Sequence, residues 1–93
     1  MKLDLEWESD SGRTWHCRHE DQDVSVSCSV WRSAGWRHSA RVVVHREWWR
    51  GDLLRTGDGR TLTVAKRAAE RDANLLYGIL RVVEGQMGEE SHD

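Results

Sequence analysis

The sequence contains no proline and no phenylalanine. Without proline, no position loses the backbone N–H that helix and sheet ladders use. Without phenylalanine, aromatic packing falls to six tryptophans and one tyrosine. An indole N–H needs an acceptor when buried, so some of the tryptophans are expected to sit half exposed. The two cysteines, Cys17 and Cys28, are too few for a secreted disulfide scaffold, and two small buried thiols are expected instead. No apolar run reaches the roughly 18 residues of a membrane span, and the N-terminus is acidic after Lys2. A cytoplasmic location with no membrane partner is the expectation.

Catalytic signatures are missing as well. There is no nucleophile elbow, no paired-carboxylate motif and no glycine-rich phosphate loop, since Thr56-Gly57-Asp58-Gly59 lacks the length and the lysine of a P-loop. His38 and Ser39 form a triad only on paper. Zinc sites announce themselves by paired Cys-x₂-Cys or His-x₃-His spacing, which His16, Cys17, His19, Cys28, His38 and His45 do not provide. The expectation is a non-enzymatic chain with no metal and no cofactor.

The 93 residues suit one domain with one core, and 38% hydrophobic against 32% charged residues describes a polar chain that still folds. Charge is distributed unevenly: residues 1–31 carry 3 basic and 7 acidic side chains, residues 32–71 carry 10 and 4, and residues 72–93 carry 1 and 5. The segments stand at −4, +6 and −4. A basic middle suits a phosphate-binding face, while acidic flanks weaken attraction to nucleic acid.

Alternation of apolar and polar residues marks strands. Leu3, Leu5 and Trp7 alternate with acidic residues in a short edge strand, and Ser9 to Gly12 supply turn chemistry. Residues 13–19 and 24–31 form a hairpin across Glu20 to Asp23. The register that opposes Trp15 to Val30, Cys17 to Cys28 and His19 to Val26 puts every apolar member on one face. Ser33-Ala34-Gly35 turns the chain into a strand over 36–46, with Ala40, Val42 and Val44 inward, Arg37, Ser39, Arg41 and His45 outward, and Val43 as the exception. Residues 47–52 read as a strand end plus turn, 53–55 as a brief return strand and 56–59 as a turn. From Leu62 the period becomes helical through Ala65, Ala69, Ala73, Leu76, Leu80 and Val83, with Thr61 or Thr63 as N-cap. Gly78 suggests a bend and Gly85 the helix end, leaving residues 1–85 as one domain and 86–93 as a polar tail. The expected class is α+β, an antiparallel meander of four to five strands packed on one C-terminal helix.

Tryptophan and arginine cluster between Trp31 and Arg55. The candidate binding set is Trp31, Arg32, Trp36, Arg37, Arg41, Arg46, Trp48, Trp49 and Arg50. Indole faces stack on bases or hold guanidinium groups, and guanidinium forks fit phosphates or carboxylates. The same two residue types dominate protein interfaces. A macromolecular protein partner and a nucleic acid are therefore both candidates, beside the plain reading that arginines solvate the outer face of a one-sided sheet. An exposed sheet edge also allows a homodimer.

Two resemblances accompany these residues. Trp36, Trp48, Trp49, Thr56 and Ala65-Lys66-Arg67-Ala68-Ala69 resemble the layout of integrase-type three-stranded-sheet DNA-binding domains, over residues 36–73. That resemblance implies a sheet face in the major groove, carried here by Arg37, Arg41, Arg46 and Arg50. As a compact single domain without catalytic signatures, the chain also resembles small phage-encoded defence inhibitors of the anti-CRISPR type. This likeness implies docking on a nucleic-acid-handling protein complex through the Trp/Arg surface and the acidic flanks.

Overall fold

Alternating side chains build five antiparallel strands, which a computed structural model describes together with the following helix over residues 5–9, 11–21 and 23–90. They are β1 (Trp7–Ser9), β2 (Thr14–Glu20), β3 (Val24–Arg32), β4 (Trp36–His45) and β5 (Arg50–Gly59), followed by α1 (Leu62–Glu90). Each strand pairs with its neighbour in sequence, in the order β1-β2-β3-β4-β5. The fold is α+β, a five-stranded meander with one helix on one face.

The β2–β3 register opposes Trp15 to Val30, Cys17 to Cys28 and His19 to Val26, as the alternation requires. Val24, Val26, Cys28 and Val30 of β3 and Ala40, Val42 and Val44 of β4 face Ala65, Ala69, Ala73, Leu76 and Leu80 of α1 in the core. Small residues on the helix let its axis approach a floor of valines, so the centre of the core closes without a large aromatic. The tryptophans lie around that centre, and none of the six is fully buried. Trp7 Nε1 donates to Glu70 Oε1 at 2.7 Å, and Lys66 Nζ lies 3.6 Å from the Trp15 ring centroid. Lys66 and Glu70 thereby cap the β1–β2 end of the sheet.

Three expectations need correction. The first strand runs Trp7–Ser9, so Leu5 and Glu6 precede it; residues 3 and 4 of that expected strand lie outside the described residues. The second concerns β5, which runs ten residues and pairs along the whole of β4, including Thr56 to Gly59. Those glycines serve close approach instead of a turn: a β-carbon on Gly57 would lie 2.6 Å from His38 Cε1, and one on Gly59 would lie 3.1 Å from the Ala65 nitrogen. Third, α1 does not end at Gly85 but continues to Glu90. Positive φ among the described glycines is confined to Gly12 and Gly35, so Gly85 takes an ordinary helical conformation, and no proline follows to stop the chain.

Turn chemistry holds elsewhere. Ser33 N donates to Gly35 O at 2.8 Å, with Ala34 at φ 52° and Gly35 at φ 119°. Thr61 is the N-cap, its Oγ1 accepting the Val64 N–H at 3.2 Å.

Candidate functional site

Strand alternation divides the sheet residues between a face under α1 and a face that α1 leaves uncovered. On the uncovered face the registers align hydroxyls across three strands: Ser25, Ser27 and Ser29 of β3, Ser39 of β4 and Thr56 of β5. Around this floor stand Arg18, Arg37, Arg41 and Arg50, together with Glu8, Glu20, Asp52 and Asp58. Two shallow concavities open between them. One of about 260 Å³ includes Arg18, Ser25, Ser27, Arg41, His45 and Arg50; another of about 480 Å³ includes Trp31, Arg37, Thr56 and Asp58.

The nine candidate residues do not form one surface. Trp31, Arg37, Arg41 and Arg50 share the uncovered face. Trp36 and Trp49 pack against the core from the helix side. Arg32 lies over the Trp36 ring at 5.9 Å, at the Ser33–Gly35 turn. Trp48 stacks on Trp49 with ring centroids 6.4 Å apart and is 54% exposed. Arg46 is an internal tie: it donates to Asp23 of the hairpin connection and to Glu84 of α1, the latter at 3.0 Å. Glu84 first, then Asp23, holds the Arg46 guanidinium above its ordinary pKa. One sequence motif therefore resolves into an outer face, a core rim and a loop clasp.

Electrostatics on the outer face are balanced. Arg41 donates from Nε to Asp52 Oδ1 at 3.0 Å and from its second nitrogen to Asp52 Oδ2, a bidentate cross-strand pair. This hydrogen bonding raises the Arg41 pKa and holds the Asp52 carboxyl below the usual carboxylate range. Asp52 is consequently ionised throughout the neutral range, and the pair loosens only as pH falls through the lowered value. Arg37 lies 3.6 Å from Asp58.

Beneath α1 the structure brings together a group that the sequence reading passed over. His38 Nε2 and Asp72 Oδ2 are 2.8 Å apart, with side chains 4% and 5% exposed. Arg55 Nε approaches the other Asp72 oxygen at 3.5 Å. His38 shares the strand parity of Ala40, Val42 and Val44, and Asp72 interrupts the helix stripe beside Ala69, Ala73 and Leu76. Those two positions were the available signal. The pair is sealed from solvent and His38 and Ser39 point to opposite faces, so the arrangement acts as a strut between sheet and helix.

No family model, characterised protein or solved structure matched the chain.

Cys17 and Cys28 are free and buried. Hydrogen bonding between the thiols pushes Cys28 up, with burial adding to the effect, and lowers Cys17. Among the described residues no three His, Cys, Asp or Glu side chains converge on a point that would hold a metal ion, and no helix is long and apolar enough to cross a membrane.

Proposed function

We propose that the chain is a non-enzymatic interaction domain whose uncovered sheet face docks on a protein partner. The observation that carries this reading is the charge balance of that face, where Arg41 is held by Asp52 and Arg37 stands beside Asp58. Phosphate binding draws its affinity from unneutralised cations that release counterions. A face with its own counterions instead suits a protein surface of mixed charge, where such pairs set register and exclude wrong partners. Trp31, seated at the edge of the larger concavity, is the aromatic anchor. Trp48, in the β4–β5 loop at the opposite end of the strands, supplies a second exposed indole. A small inhibitor of the anti-CRISPR type, seated on a nucleic-acid-handling complex, would use such a surface, with the −4 flanks meeting basic channels.

Nucleic acid on the same face is the alternative, favoured by the +6 of residues 32–71. Fluorescence titration of the protein against duplex and single-stranded DNA separates the two. The expected result is no saturable binding at about 50 mM salt, the condition at which phosphate contacts are strongest. Binding there that weakens by orders of magnitude towards about 200 mM would replace the protein-docking reading with the nucleic-acid one.

A further inference from the structure

We infer that the chain forms a two-fold homodimer in which β5 pairs with β5 of a second copy, extending the sheet to ten strands and laying the two α1 helices side by side. This goes beyond the docking face proposed above and does not depend on it.

The sheet has two edges of very different kind. β1 ends it with three residues, whereas β5 presents ten. Long unpaired edges are ready templates for another strand unless they are blunted, and β5 has no proline to blunt it. Hydrogen-bond parity says which groups it offers. Arg46 N donates to Trp49 O at 2.7 Å, immediately before the β4–β5 ladder that pairs His45 with Arg50. Because hydrogen-bonded pairs alternate, the odd-numbered residues of β5 bond to β4, and Arg50, Asp52, Leu54, Thr56 and Asp58 direct their N–H and C=O groups outward.

An antiparallel two-fold pairing centred on Leu54 uses every one of these groups. Arg50 then opposes Asp58 of the second copy, twice by symmetry. Asp52 opposes Thr56, also twice, and Leu54 meets its own symmetry mate. Moving the centre to Arg55 would oppose Asp52 to Asp58 and Arg50 to Arg60, so like charges reject that alternative. The edge is thus self-complementary in the Leu54-centred register, the one that pairs all five outward residues of β5 among themselves.

The helix supplies the second layer of the same interface. Leu80 lies beside Gly51 and Ala65 beside Gly59, so α1 runs back along β5. Asp72, which reaches Arg55 of β5, marks the side of α1 turned towards this edge. At helical spacing on that side lie Leu75, Ile79 and Val82, which are 45%, 43% and 63% exposed. They line an apolar depression of about 540 Å³ floored by Gly78. Interpolating between the Gly51 and Gly59 contacts places Leu75 level with Leu54, which is itself 63% exposed. The axis that joins Leu54 to its mate therefore joins Leu75 to its mate, and brings Ile79 and Val82 over Arg71 and Ala68 of the second copy. Ten strand residues at ~3.3 Å give an edge of ~33 Å. With a breadth near 20 Å, the contact covers on the order of 700 Å² per copy, close to the ~800 Å² of a stable interface.

Sedimentation equilibrium of the whole chain between about 5 and 200 µM tests the proposal. The expected wild-type mass is twice the 10.8 kDa of one chain. Leu75→Asp sets two carboxylates against each other on the axis and should return the mass to one chain. Thr56→Pro removes an outward N–H without touching the ladder to β4 and should do the same, with far-ultraviolet circular dichroism unchanged. A wild-type chain that stays at one chain mass across the range overturns the inference, as does a dimer that survives Leu75→Asp. Because Leu75 is exposed, that variant keeps the test decisive even where Thr56→Pro fails to fold.

Discussion

His38→Leu is expected to lower the unfolding free energy by about 3 to 5 kcal/mol, the scale set by removing one partner from a buried polar pair. The substitution leaves the Asp72 carboxylate 5% exposed, with only the 3.5 Å approach of Arg55 to compensate it. Asp72→Leu should be comparably costly, since it strands both ring nitrogens of His38; Nδ1 already lacks a hydrogen-bond partner. The double variant His38→Leu with Asp72→Leu replaces the pair by apolar volume and should recover most of the loss, because exchanging both partners of a buried hydrogen bond for apolar groups of similar shape is often nearly neutral. Urea unfolding of the three variants gives the coupling energy directly. Additive losses would show that His38 and Asp72 do not act as a unit.

Gly57→Ala is the second large effect, at about 1 to 3 kcal/mol of overpacking. The added methyl would lie 2.6 Å from His38 Cε1, against a ring that the Asp72 hydrogen bond holds in place. Gly51→Ala offers an internal comparison. Its β-carbon would lie 2.6 Å from Leu80 Cδ2, the mobile end of a flexible side chain, and 2.7 Å from Cη2 of Trp49, whose half-buried ring at the core rim can move outward. Thermal unfolding should therefore rank Gly57→Ala as the more damaging change. Equal losses would mean that the His38 ring gives way as readily as the Leu80 terminus and the Trp49 rim together.

These two residues also show where sequence reasoning stopped. Alternation around Val26, Cys28, Val42 and Val44 and the helical recurrence of Ala65, Ala69 and Ala73 were enough for the fold class, the hairpin register and the core, because burial of one face dictates period. Gly57 and Gly59 resemble a turn signal in isolation. Their real cause is the proximity of His38 and of α1, a tertiary fact with no local signature. The same limit applies to the arginines. Residue type and spacing marked Arg37, Arg41 and Arg46 as candidate contacts, yet Asp58, Asp52 and Glu84 meet them only through the fold, from 21, 11 and 38 positions away. Trp48 and Trp49 are adjacent in the loop before β5 and stack on each other, yet only Trp49 packs against the core while Trp48 stays 54% exposed, a difference set by the loop's path over the core edge.

Docking on a protein partner is assigned to the uncovered sheet face, with Trp31 as its anchor. A comparative pull-down tests it most directly, using wild-type chain, the outer-face variant Trp31→Ala with Arg50→Ala, and the helix variant Arg67→Ala as baits, with retained proteins quantified by mass spectrometry. The expected result is a protein held by wild type and by Arg67→Ala but reduced at least about 10-fold on the outer-face variant, equivalent to about 1.4 kcal/mol of binding. Retention of every partner by the outer-face variant, or loss confined to Arg67→Ala, would contradict it.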